Sequence, residues 1–324
     1  AMVYAEEPTR EGILKAMKLR HTYGSTDNII ADSRCTAADG KERMMGSSTR
    51  VLIVHHGQLP GPERFCSGGA LRAQQHKDVL ENAGVHVLCL GRRQDQEGGY
   101  RSASELRRMA QSFEPDWILC VAPTEAPALR GVAPLMVDLY APRLLEAAWE
   151  ELQEEEAGWA LRALHAADEV LFSNPRQRWF WMGICGLCGW DLSKPVGLLI
   201  PLCIPQVAPQ PPPSRPRLIL GGNPWPWQDF SETLQKASSH LKDRAEILTV
   251  GLPPQTGIRA LPKQPYEKWL ELCAQSTAAL DRYQPNPERE LALSFRQLDY
   301  LGAGLPIIGM PDSVLAPELR AFQA

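Results

Sequence analysis

The sequence has little of what would send a chain into a membrane, onto nucleic acid or into an oxidising compartment. No apolar run approaches the ~20 residues that cross a bilayer. Positive charge is not in excess: 34 Lys and Arg against 38 Asp and Glu leave a net charge of −4 and a pI near 6.0. No global basic field therefore recruits nucleic acid. The opening Ala-Met-Val-Tyr-Ala-Glu-Glu lacks the basic head and apolar core of a signal peptide. Cysteines at 35, 66, 89, 120, 185, 188, 203 and 273 are scattered, which suits a reducing cytoplasm better than a disulfide framework. Cys89 and Cys120 fall in expected core strands as small hydrophobes. Cys185-Gly-Leu-Cys188 is a C-x-x-C, but no second pair has zinc-site spacing and no strand precedes it. G-x-G-x-x-G is missing, which argues against NAD. These absences predict a cytoplasmic protein without a metal or a resident cofactor.

What is present is α/β alternation. With 324 residues the chain is long enough for two domains. Residues 1–47 read as an appendage: a helix over Pro8–Arg20 capped by Thr9, a turn into a strand from His21 to Asp32, and a polar loop near Ala38–Arg43. His21, Asp27 and Asp32 are metal-ligand types there, with a solvated polar surface as the competing reading. Residues 48–204 form a first domain. Its strands fall at Arg50–His55, Val85–Leu90, Asp116–Val121, Pro134–Asp138 and Asp168–Phe172; their near-continuous apolar character suits parallel strands buried on both faces. Gly68-Gly69 opens a helix to Asn82, and helices follow over Ala103–Phe113, over Arg143–Leu164 and from Pro175, with Ser173 or Asn174 as cap. The run Arg178-Trp-Phe-Trp-Met182 reads as aromatic packing against a neighbour. Residues 205–216 are Pro-dense and read as a linker. Residues 217–324 restart the alternation with strands near Arg217–Leu220, Glu246–Val250, Ala278–Asp281 and Leu305–Ile308. About four strands are too few for a complete doubly wound domain, so the second domain is expected to be incomplete.

Polar residues just past the carboxyl end of a strand in an open α/β sheet sit in the binding crevice. That rule picks out Asp138 and Tyr140. In the second half Glu288–Leu301 reads as one amphipathic helix carrying Glu288, Glu290, Arg296 and Asp299, ending at Gly302-Ala-Gly304. Gly221-Gly222 follows a strand and leads to Trp225 and Trp227. A nucleotide sugar needs a carboxylate for its hydroxyls, an Arg or helix-start N–H groups for its diphosphate, and a flat wall for its base. Glu288 or Glu290, Arg296, Asp299, the 302–304 turn and the tryptophans offer these, and a hinge between two α/β domains makes a cleft for a small ligand.

Residues 50–324 resemble GT-B glycosyltransferases, and family four in particular. The segments that carry the likeness are HHGQLPGPERFCSGGALRAQQHKDVLENAGVHVLCLG, PLMVDLYAPRLLE, ADEVLFSNPRQRWFWMG, LILGGNPWPWQDF and ERELALSFRQLDYLGAGLPII. The resemblance implies two Rossmann-like domains facing a cleft and a metal-independent, retaining sugar transfer from a nucleotide donor to a glycan or lipid-linked acceptor. By motif match Glu290 and Asp299 take the donor-binding acidic pair, Arg296 the phosphates, and Gly68 and Gly69 the acceptor-side loop. Gly222, Trp225, Trp227, Gly302 and Gly304 complete the donor list, and Asp138 is the base if the reaction inverts. The sequence departs from the pattern in two places: the residue eight before Asp299 is Leu291, and tryptophans replace the basic pair after the first strand of the second domain. Two other readings remain: an inactive nucleotide-sugar-binding scaffold, and a metal-dependent phosphoesterase relative, since TREGILKAMKLRHTYGSTDNI resembles the edge of PHP-type phosphoesterases. The partners expected are a nucleotide-sugar donor and no nucleic acid; a peripheral membrane contact is compatible with both.

Overall fold

The computed structural model describes residues 49–92, 99–208, 210–211, 213–222, 225, 227, 230–241, 244–310 and 313–317, with four two-residue strands before them. Of these, Met2–Val3 pairs antiparallel with Thr22–Tyr23, and Cys35–Thr36 with Glu42–Arg43. Glu42 and Arg43, expected in a loop, thus lie in a strand. The expected helix Pro8–Arg20, most of the segment resembling PHP-type phosphoesterases, and His21, Asp27 and Asp32 lie outside the described residues.

The chain is α/β with two parallel sheets. It divides into two compact units, one containing Cys66–Leu202 and the other Cys203–Ala324. The first unit has strands β1 (Arg50–His55), β2 (His86–Gly91), β3 (Trp117–Cys120), β4 (Leu135–Asp138), β5 (Glu169–Phe172) and β6 (Leu198–Leu199). They pair in the order β6-β5-β4-β3-β1-β2, all parallel. Its helices are α1 (Gly68–Asn82), α2 (Ala103–Phe113), α3 (Ala126–Leu129), α4 (Arg143–Ala147), α5 (Gln153–Ala166) and α6 (Pro175–Leu187). Alternation along β1 explains the layering. Val51 and Ile53 pack with Ala73 and Leu80 of α1 on one face, while Leu52 and Val54 join Leu106, Ala163 and Trp181 on the other.

The second unit has β7 (Arg217–Gly221), β8 (Glu246–Val250), β9 (Arg259–Leu261), β10 (Ala278–Asp281) and β11 (Ile307–Gly309), ordered β9-β8-β7-β10-β11 and all parallel. Its helices are α7 (Ser231–Leu241), α8 (Tyr266–Ala274), α9 (Pro287–Leu291) and α10 (Phe295–Gly302). The same alternation splits Ile219 and Leu248 from Leu220 and Ile247 across the sheet. The sheet has five strands, not four: β9 is a three-residue edge with an arginine at its start, too short to show a period.

Two expected helices are each two helices. Arg143–Leu164 breaks between α4 and α5, where Glu151 takes φ 59° and Leu152 N–H reaches back to Ala147 O. No Gly or Pro marks that break in the sequence. Glu288–Leu301 breaks between α9 and α10, with Ala292 extended at ψ 129°. Asn286 and Pro287 start α9 as cap and first-turn proline, with Arg289 N–H on Asn286 Oδ1 at 3.1 Å. No helix among the described residues is long and apolar enough to cross a membrane.

Candidate functional site

In each sheet the chain reverses its direction of winding at one point, the place where an open α/β sheet ordinarily takes its ligand. In the first sheet that point lies between β1 and β3. His55 ends β1, and His56 follows it. His56 Nε2 sits 3.2 Å from Glu125 Oε1, and Arg92 Nη1 is 3.3 Å from the same oxygen. Thr124 Oγ1 is 3.4 Å from His56 Nε2. The His56 side chain is 47% exposed, while that of Glu125 is 7% exposed. Burial opposes the charge on Glu125, but hydrogen bonding and attraction from His56, then Arg92, hold its carboxyl below the ordinary range. The result is an accessible imidazole backed by an ionised, buried carboxylate.

Asp138 does end β4, but it is fully buried. Its Oδ2 accepts from Arg72 Nε and from His76 Nε2, both at 2.7 Å. Arg72, 1% exposed, also donates to Ile200 O at 2.7 Å and Pro201 O at 2.8 Å. Burial works against the Asp138 charge, and Arg72 with His76 outweighs it, so the carboxyl lies below its usual value. Burial and then Arg72 lower the His76 pKa, against the pull of Asp138. Asp138 is therefore the anchor of a buried latch joining α1, β4 and the segment after β6. Asp138, expected as the base if the reaction inverts, thus has its Oδ2 committed to Arg72 and His76.

Gly68 and Gly69 begin α1, where Ser67 caps Ala70 N–H at 3.2 Å. A Cβ on Gly69 would lie 3.1 Å from the Tyr140 hydroxyl. The structure thus brings Gly69 and Tyr140 together. Asn174, rather than Ser173, caps α6, accepting from Gln177 N–H at 3.1 Å; Ser173 Oγ instead donates to Tyr140 O at 3.0 Å.

In the second sheet the reversal lies between β7 and β10. Their ladder ends near Ile219 and Ala279. Beyond it the Tyr300 hydroxyl bridges the gap, 3.3 Å from Gly221 N and 3.4 Å from Leu280 O. Asp281 ends β10, fully buried. Around it stand Gln297 Nε2 at 2.6 Å, Arg289 Nη2 at 3.4 Å and Arg296 Nη1 at 3.6 Å. The break between α9 and α10 lets residues from both helices reach this one carboxylate. Gly222, at φ 115°, lies against the same arginine: a Cβ there would be 2.9 Å from Arg296 Nε. Arg296 therefore sits between the end of β10 and the backbone after β7, where the crevice opens. Trp227 is buried and Trp225 partly exposed; the rings stack with centroids 4.9 Å apart. Gln284 N–H donates to Trp227 O at 2.9 Å, tying the tryptophan loop to the loop after β10. Tyr300→Phe would leave the buried Gly221 N–H without this acceptor; a loss of about 1–2 kcal/mol is expected in a denaturant titration.

The remaining donor-side residues have other partners. Asp299 is 4% exposed and accepts from Tyr266 Oη at 2.8 Å and Trp269 Nε1 at 2.9 Å, clamping α10 to α8. It points into the unit, away from the Arg296 side of its helix. Glu290 is exposed on α9, so Glu290 and Asp299 are not a pair on one helix, and Glu288 is buried. Gly304, at φ 70°, ends α10 in a Schellman turn: Gly304 N–H bonds Leu301 O and Leu305 N–H bonds Tyr300 O, both at 2.9 Å. Gly302 makes room for the linker, since a Cβ there would lie 2.4 Å from Pro205 O. Both glycines are explained by packing.

Burial pushes the Asp299 carboxyl up to about 7, against the pull of Tyr266, Trp269 and Arg296. A raised folded pKa means the native state binds the proton more tightly than the unfolded chain. The stability so gained is complete below the unfolded value of ~3.9 and is lost as pH rises through about 7. Asp299→Asn is expected to flatten the fall in denaturation midpoint between about pH 4 and 7; an unchanged slope counts against this assignment.

Sequence reasoning missed His56, Arg92 and Glu125, and in the second unit Asp281, Arg289, Gln297 and Tyr300. His56 and Asp281 were within reach, because each lies at or just past a strand's carboxyl end beside a change in winding. Among the described residues no group of three or more His, Cys, Asp or Glu is placed to hold a metal. Cys185 is buried and Cys188 partly so, both as free thiols at the end of α6.

No protein-family model and no curated protein matches the chain. Solved structures do. One is an alpha-glucosyltransferase in complex with UDP-glucose and DNA containing an abasic site, at 11% identity over 82% of this chain and 81% of that chain, with a TM-score of 0.55. Another is an alpha-glucosyltransferase in complex with UDP and a 13-mer DNA containing a HMU base, at 11% identity over 81% and 80%, with a TM-score of 0.51. A third is the alpha,alpha-trehalose 6-phosphate synthase of Burkholderia multivorans, at 12% identity over 84% and 86%, with a TM-score of 0.50. At such identities the likeness is one of fold, and the chain has the α/β fold with two parallel sheets found in these GT-B glycosyltransferases.

Proposed function

We propose that the chain is a glycosyltransferase of the family-four type, moving a sugar from a nucleotide-sugar donor to a glycan or lipid-linked acceptor with retention and without a metal. The observation that carries this reading is the placement of Arg296. Its guanidinium is held between Asp281 and the Gly222 backbone at the winding reversal of the second sheet. A diphosphate there meets a fixed cation beside backbone that no side chain screens. A cation in that position stabilises negative charge as the nucleotide leaves. Trp225, stacked on the buried Trp227, offers a flat face to the base.

In a retaining reaction the departing phosphate itself takes the acceptor proton, so the protein need only orient the acceptor hydroxyl. His56 fits that task. Its imidazole is accessible and Glu125 fixes its orientation. With Nε2 turned to Glu125, Nδ1 is left to meet the hydroxyl. If the reaction inverts, His56 is also the group able to accept the proton, in the place first given to Asp138.

The test is a thermal-shift screen against nucleoside diphosphates and nucleotide sugars, followed by product analysis with the ligands that bind. Binding to the native state raises the melting temperature by mass action. A shift with transfer supports the proposal. A shift without transfer to any acceptor or water favours a binding scaffold, and the lack of any shift across the screen overturns the donor site.

A further inference from the structure

Asp281 is a fully buried carboxylate with two arginines beside it. Gln297 is neutral, so one negative charge stands against two positive ones at the carboxyl end of β10. The two arginines are not equivalent. Arg289 Nη2 donates to Oδ2 at 3.4 Å, the oxygen that also takes Gln297 Nε2 at 2.6 Å. Arg296 Nη1 faces the other oxygen, Oδ1, at 3.6 Å, and among the described residues Oδ1 accepts no hydrogen bond. Arg289 is held on several sides. It is 5% exposed, its guanidinium lies 4.5 Å over the Tyr283 ring, and its N–H is bound by the cap of α9, Asn286. Arg296 instead lies between Asp281 and the Gly222 backbone.

A buried carboxylate with a single cation binds that cation tightly, because neither charge has water to turn to. Were Arg296 the sole cation at Asp281, a diphosphate would have to compete with the carboxylate for it. With Arg289 in place the carboxylate keeps a countercharge, and turning Arg296 to a ligand leaves no bare buried charge. We propose that Arg289 is a positioning residue: it neutralises Asp281 and so leaves the charge of Arg296 to the diphosphate of the donor. The inference rests on the reading of Arg296 as the diphosphate contact, and Arg289 acts through Arg296 rather than on the donor itself.

The test is calorimetric titration of the full chain and its variants with adenosine, guanosine, uridine and thymidine diphosphates, with the melting temperature recorded for each variant. Arg289→Gln keeps a donor but not the charge, and is expected to weaken the diphosphates that the parent binds by about ten-fold. Arg289→Lys keeps the charge and is expected to recover most of that affinity. The planar guanidinium is lost in both, so a packing role alone predicts no difference between them. Asp281→Asn removes the charge to be neutralised. In that background Arg289→Gln is expected to change affinity by less than about two-fold, whereas an arginine that attracts the diphosphate directly would still be missed. The inference is overturned if Arg289→Gln binds like the parent, if Arg289→Lys and Arg289→Gln bind alike, or if the loss persists in full in the Asp281→Asn background. Should Asp281→Asn not fold, the comparison of Arg289→Gln with Arg289→Lys decides alone. A parent that binds none of the four diphosphates overturns the donor reading itself, and this inference with it.

Discussion

Asp138→Ala is expected to lower the unfolding free energy by about 3–5 kcal/mol, because it leaves the Arg72 cation buried without its carboxylate. Arg72 is 1% exposed, and its remaining donors are committed to the carbonyls of Ile200 and Pro201. Neutral partners replace the lost charge only in part. Against a total stability of about 5–15 kcal/mol the loss is severe. A urea titration reads it as a lower midpoint, and the double variant Arg72→Met/Asp138→Leu, which removes both charges, should recover a good part of it. A midpoint for Asp138→Ala within error of the parent would show that the latch is not the support its geometry describes. Any transfer activity lost in Asp138→Ala should therefore track the folded fraction, which a proton-accepting role does not require.

Arg296→Ala is expected to weaken donor binding by about ten- to a hundred-fold, the worth of one to two charge-assisted hydrogen bonds to a diphosphate. The melting temperature should change less than in Asp138→Ala, since Arg289 and Gln297 still hold Asp281. Arg296→Lys keeps the charge but loses the planar fork, so binding should be restored only in part. Calorimetric titration with the nucleoside diphosphate chosen by the thermal-shift screen separates the two variants. Equal affinity in Arg296→Ala and the parent would place the diphosphate elsewhere.

The sheets were legible in the sequence because parallel strands buried on both faces are written as continuous apolar runs. Arg50–His55 and Glu246–Val250 need no partner to be recognised. The start of α6 was legible for a local reason, a capping residue type before Pro175, though the choice between Ser173 and Asn174 was left to the structure. The break at Glu151 and the edge strand at Arg259 were not, since nothing in the local residue types favours φ 59° at a glutamate or marks a three-residue strand. The first is closed by Leu152 N–H on Ala147 O, and the second is defined only by its pairing with β8.

The candidate site divides along the same line. The sequence by itself determined two α/β units, a helical segment around Arg296, and the glycine after β7 that allows a close backbone approach. It could not decide which charged side chain faces the crevice. Arg296 and Asp299 are three apart on one helix, yet Arg296 turns to Asp281 while Asp299 turns to Tyr266 and Trp269. Asp138 and Arg72 are 66 residues apart in the chain and share a buried hydrogen bond. A carboxylate at a strand end serves structure or chemistry according to what the fold sets beside it. Desolvation and the nearest cation fix its charge and its access to a ligand, and both are properties of tertiary contacts that local sequence does not encode.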